Sequence, residues 1–162
     1  MSYGVESDSD GDGDDAGASD GQGFAVGAFI FLCDLTTEQE CLDRSLFGTN
    51  AGEAHRHHYS RVAVGDTLFL YNLDTGQLRG PFTATTECRN NIEPQAWKKT
   101  RRSFPWQVRV DAGATLPKPL TADTLTKHVP LASTGVGVLP PSELTTEQSM
   151  IILEELSRAN SD

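Results

Sequence analysis

Apolar residues first crowd together in "FAVGAFIFLC", Phe24 to Cys33, with no polar face to interrupt them. A short continuous run of this kind is expected to form a strand covered on both faces, so "VGAFIFLCD" reads as a central strand. The spacing then turns helical in "LTTEQECLDRSLFG". Leu42 and Leu46 share a face, Thr37 and Glu40 have capping-box spacing, and Gly48 offers a stop. A polar loop through "TNAGEAHRHHYSRV" leads to "DTLFLYNLDTGQLRGPFTATTE", which reads as strand, turn at Asp74-Thr75-Gly76, and strand. Pro94 opens a short turn at "EPQAW", and "WQVRVD" alternates as a half-buried strand does. Residues 112–141 carry five prolines and read as loop-rich, and "LTTEQSMIILEELSRAN" closes the chain as an amphipathic helix.

The pentapeptide Leu-Thr-Thr-Glu-Gln occurs at 35–39 and again at 144–148, with unlike sequences around it. It reads as one helix-start chemistry used twice, not as a duplication. Strands interrupted by one early helix and closed by a late one predict a small α+β fold. Its sheet must curve strongly to enclose a core with so few strands.

Charge divides the chain. Residues 1–23 hold Glu6, Asp8, Asp10, Asp12, Asp14, Asp15 and Asp20, no Lys or Arg, and little that is apolar. Such a segment is expected to be a disordered acidic tail ahead of one domain spanning 24–160. The tail supplies most of the formal charge of −10, leaving about −3 for the rest. Only four lysines stand against nine arginines. Low lysine with abundant acid suits a protein kept soluble at high salt, which points to a halophilic microbe.

Nothing reads as a membrane span or signal peptide, since the longest apolar run is about half the roughly 20 residues a span needs. Cys33, Cys41 and Cys88 are odd in number and lack paired spacing, which suits reduced thiols in a cytoplasm. "DSDGDGDDAGAS" begins like a calcium loop, but its twelfth position is Ser19, so calcium binding is rejected. His55, His57 and His58 lie too close together to converge on one metal ion, and read as exposed loop histidines. No nucleophile, phosphate-loop or metalloprotease motif is present, so no catalytic residue, cofactor or metal is assigned.

The strongest chemical signal is "EPQAWKKTRRSFPWQVRV", which gathers both tryptophans around Lys98, Lys99, Arg101 and Arg102. Aromatic rings stack on bases while neighbouring cations neutralise phosphates. The same residues also fit two core anchors joined by a solvated basic loop, and both readings stay open here.

Several motifs in order resemble the development and cell death (DCD) domain. They are "GAFIFLCD", then Glu40-Cys41-Leu42-Asp43-Arg44-Ser45-Leu46-Phe47-Gly48, "GDTLFLYNLDTGQLRGPFTA", "NIEPQAW" and Phe104-Pro105-Trp106-Gln107-Val108. Trp106 stands where that family usually has a small residue. The resemblance implies a PUA-like curved β-sheet or pseudo-barrel with flanking helices, distantly similar to EVE and YTH domains. It also implies an interaction module linked to stress and cell death, with no catalytic residues to carry over. In YTH domains aromatic residues cage a modified base. Carried over by position, Phe47, Trp97, Phe104 and Trp106 would line a ligand pocket; the basic segment itself puts Lys98, Lys99, Arg101 and Arg102 on phosphate. RNA or a modified nucleotide is the expected partner, a protein partner the alternative.

Overall fold

The computed structural model describes residues 27–50, 58–100, 103–113, 116–134 and 137–161. The expected tail, Arg101, Arg102, His55 and His57 lie outside these residues. The strands are β1 (Ala28–Cys33), β2 (Leu46–Thr49), β3 (Thr67–Asn72), β4 (Gln77–Ala84), β5 (Arg89–Asn90), β6 (Trp106–Asp111), β7 (Ala132–Thr134), β8 (Gly137–Leu139) and β9 (Glu143–Leu144). The helices are α1 (Glu38–Arg44), α2 (Ala122–Thr126) and α3 (Thr146–Ala159). The fold is mixed α+β around an open curved sheet ordered β2-β6-β4-β3-β1-β9, with β5 added along β6. The β7–β8 hairpin stands apart as its own ribbon.

β1 runs parallel to β3 and is buried on both faces, as its unbroken apolar run requires. The period of two divides its side chains between two cores. Phe29, Phe31 and Cys33 join Phe47, Tyr59, Phe82 and Trp97 on the α1 side. Ala28 and Ile30 join Phe69, Leu78, Leu125, Ile152 and Leu156 under α2 and α3. The β3–β4 hairpin turns at Asp74-Thr75-Gly76 as its sequence requires, with Gly76 at φ 69°.

The first helix is shorter than its sequence predicts. It ends at Arg44, and Ser45 takes the left-handed conformation at φ 52° that Gly48 was expected to supply. Leu46 therefore leaves the helix and enters β2, where it is fully buried, and Gly48 lies in the same strand. The two Leu-Thr-Thr-Glu-Gln segments also start their helices differently. At α3 the capping box forms: Gln148 N–H donates to Thr145 Oγ1 (3.0 Å) and Thr145 N–H donates to Gln148 Oε1 (2.9 Å). At α1 the side chain of Thr37 makes no such cap. Asp34 takes over there, its Oδ1 accepting from Thr36 N–H (2.9 Å) and from both threonine hydroxyls (2.6 and 3.2 Å). Residues 112–141, expected as loop, include α2 and the β7–β8 hairpin.

Candidate nucleic-acid interface

A cleft of about 420 Å³ opens where β1 runs out. Leu32, Cys33 and Asp34 form one side of it, Gly48–Asn50 and Phe104 another, and Leu139, Pro140 and Ser142 a third. Tyr59 lines it from beneath, stacked on Phe31 with ring centroids 4.2 Å apart, and its hydroxyl donates to the Ile30 carbonyl at 2.5 Å. Burial pushes the Tyr59 phenol well above its ordinary range, so it stays protonated and remains a donor. Exposed Leu73 lines the cleft as well, and exposed Leu35, next to Asp34, donates its N–H to Asp74 Oδ2 (2.9 Å).

The four aromatic residues expected around one pocket are distributed otherwise. Phe47 is 0% exposed and packs on Phe31 and edge-on against Phe82. Trp97 is 1% exposed, enclosed in the same core. Trp106 is half-buried, opposite Thr49 and Asn90 in neighbouring strands, and does not line the cleft. Phe104 alone of the four borders it.

Trp97 is fixed from several directions. It holds φ 62°, which a bulky L-residue adopts only when its surroundings impose it. Its N–H donates to Glu40 Oε2 (2.7 Å), and its carbonyl accepts from the Thr100 hydroxyl (2.8 Å). The ring lies on Gly48, where an added Cβ would come within 2.7 Å of Cη2 and 2.8 Å of Cζ3. Phe104 packs against it edge to face at 5.2 Å. The segment before it is clamped by Glu93, whose carboxylate accepts from Arg44 (2.6 Å) and Arg109 (2.5 Å). Burial alone would raise the Glu93 carboxyl, but the Arg109 and Arg44 guanidiniums hold it below 4.5.

This clamp brings Lys98 and Lys99 out on a single 3₁₀ turn, Lys98–Thr100, both exposed. Lys98 and Phe104 share a small hollow of about 120 Å³, and Phe104 also lines the cleft. Among the described residues no cluster of His, Cys, Asp and Glu is arranged to hold a metal ion. Burial pushes the Cys41 thiol up to about 12 and Cys88 to about 11, so neither is a thiolate nucleophile at neutral pH. His58 is exposed, at φ 65°.

The family model for the development and cell death domain matches residues 27–132. The chain belongs to this family. Its DCD domain is 42% identical over 89 residues to the B2 protein of Daucus carota, covering 52% of this chain and 42% of that protein. It is 38% identical over 103 residues to the DCD domain-containing protein NRP-B of Glycine max, covering 61% of this chain and 30% of that protein. The chain thus spans less than half the length of these relatives. Both are plant proteins, and the expected halophilic origin gains no support from them. In fold, the DCD domain resembles the YTH domain of Zygosaccharomyces rouxii MRB1 protein in complex with N6-methyladenosine RNA. That match has a TM-score of 0.56, 11% identity, and covers 81% of this chain and 86% of that one. A YTH domain in complex with m6A gives a TM-score of 0.61 at 11% identity, covering 86% of this chain and 88% of that chain. Identities this low establish the fold alone. No helix among the described residues is long and apolar enough to cross a membrane.

Proposed function

We propose that this DCD domain is a non-catalytic module that binds RNA or a modified nucleotide, with an adenine-type base in the cleft beside Phe104. The observation that carries this reading is that Phe104 lines both the cleft and the hollow beside Lys98, which begins the Lys98–Thr100 turn. Phe104 offers a face on which a base stacks, and the two lysines lie where the adjoining phosphates would run. The fold shared with domains solved on N6-methyladenosine RNA supports the same class of ligand. Phe47 and Trp97 act here as the frame behind the site, not as stacking surfaces.

Binding of single-stranded RNA across a salt series tests the proposal. For single strands the slope of log affinity against log salt changes by about 0.7 for each phosphate that the protein ceases to neutralise. Lys98→Ala and Lys99→Ala are each expected to flatten it by that amount. Absence of salt-dependent RNA binding would sink the reading. A protein-interaction module, as in stress signalling, is the second reading, favoured by exposed Leu73 (37%) in the cleft lining and Leu35 (67%) next to the cleft residue Asp34. Replacing both by Ser would weaken a protein partner and leave the salt slope untouched.

A further inference from the structure

The main chain of β1 meets the cleft along the edge that faces β9. Thr67 N–H donates to the Gly27 carbonyl (2.9 Å) and Leu73 N–H to the Cys33 carbonyl (2.8 Å). The odd-numbered residues of β1 therefore bond to β3, and the main-chain groups of Ala28, Ile30 and Leu32 face the opposite edge. Ala28 lies opposite Leu144 of β9. Ile30 N–H donates to the Ser142 carbonyl (2.9 Å), and the Ile30 carbonyl accepts the Tyr59 hydroxyl. Leu32 is the next residue along this edge and lines the cleft.

On the N-terminal side of Ser142 the chain lies outside β9 and runs through Pro141 and Pro140, and Pro140 lines the cleft together with Leu32. Proline has no N–H, so it has no hydrogen to give the Leu32 carbonyl, and a second proline, Pro141, adjoins it. Among the described residues nothing donates to the Leu32 carbonyl or accepts from its N–H. One donor and one acceptor thus lie side by side on an extended backbone, aimed into a cleft walled by aromatic rings.

Resting on the nucleotide reading above, we propose that Leu32 reads the base through this free edge. Its N–H donates to a ring nitrogen of adenine, and its carbonyl accepts from the neighbouring exocyclic N–H. Adenine presents such an acceptor beside such a donor, and N6-methylation leaves one N–H in place. An added protein strand fits less well. Strand addition uses a row of alternate residues, and on this edge Ile30 is already engaged by Ser142 and Tyr59.

The test compares a short oligoadenylate with the same oligomer built from 1-deazaadenosine or 7-deazaadenosine. Each analogue removes one ring acceptor with almost no change of shape. One of the two is expected to bind the wild-type chain about tenfold more weakly, the cost of leaving one donor unpaired. Leu32→Pro deletes the N–H that faces the cleft, together with the leucine side chain that packs on the second core. It should weaken the parent oligomer by a similar factor and abolish the difference between parent and analogue, as a double-mutant cycle requires. In ¹⁵N spectra of the wild-type chain the Leu32 amide should shift downfield on titration. If that variant does not fold, the wild-type analogue series and the Leu32 shift decide alone. Resonance shifts around the cleft with both analogues bound as tightly as the parent would overturn the role of Leu32 and leave the nucleotide reading standing. No oligoadenylate binding, or shifts elsewhere only, would overturn both.

Discussion

Trp97 and Phe104 touch edge to face, yet they belong to different regions of the molecule. Trp97 is sealed into the core, its backbone held in a left-handed conformation by Glu40 and Thr100. Phe104 is half-buried and lines two hollows, one shared with the cleft at β1 and one with Lys98. The difference separates, within a single basic-aromatic stretch, a ring that holds the fold from one that the proposed site would use. The larger ring gives its surface to the protein, which fixes where the smaller ring and the lysines stand.

If that division holds, the largest effect on stability comes from Trp97. Trp97→Ala should lower the unfolding free energy by about 3–5 kcal/mol, the usual cost of deleting a buried large aromatic, read by denaturant titration. A loss below about 1 kcal/mol would mean that Trp97 is not a core anchor. Gly48→Ala approaches the same ring from the other side. Its new methyl would meet the Trp97 ring at 2.7 Å and Phe104 Cβ at 2.9 Å, so overpacking should cost about 1–3 kcal/mol. The Gly48→Ala, Trp97→Ala double variant should recover part of that cost, since removing the ring removes the collision.

Glu93 sharpens the comparison through pH. Its carboxyl titrates below 4.5 in the native state because Arg109 and Arg44 hold it charged, opposing the effect of burial. A depressed native pKa contributes stability that is fully present above the unfolded value and is lost as pH falls through the native one. The wild-type chain should therefore lose more stability than Glu93→Gln as pH drops below about 4.5. Parallel acid titrations would show the clamp to be unimportant. At neutral pH the Glu93→Gln chain should also bind RNA with a shallower salt slope, because the turn carrying Lys98 and Lys99 is less well placed.

The parts legible in the sequence are those with a long or regular pattern. The unbroken apolar run of β1, the hairpin around Asp74-Thr75-Gly76 and the period of α3 each appear where their residues require. Gly48 misled because a glycine after a helix resembles a stop, whereas this one leaves room for the Trp97 ring. The Thr37 capping pattern failed for a local reason: Asp34, just upstream, already serves Thr36 and Thr37. β2, β5 and β9 are four, two and two residues long, too short to carry a period, and are set by the strands they join. At the site, Lys98, Lys99 and Phe104 were visible by residue type. Composition could not tell which aromatic is walled in, and the edge proposed at Leu32 depends on where β9 ends, which no local pattern encodes.

Phe104 gives the smallest effect on stability and the sharpest test of the division. Its ring is only half-buried, so Phe104→Ala removes less apolar packing than Trp97→Ala and should shift the denaturation midpoint less. Its effect on RNA should be larger than its effect on folding, since losing one stacking platform costs about 1–3 kcal/mol of binding. Phe104→Tyr keeps the stacking face and should restore the affinity. Because the lysines remain, the salt slope of Phe104→Ala should match the wild type while the whole curve drops. A variant that lost stability as Trp97→Ala does, with unchanged RNA affinity per folded molecule, would place Phe104 in the frame and leave the cleft without its wall.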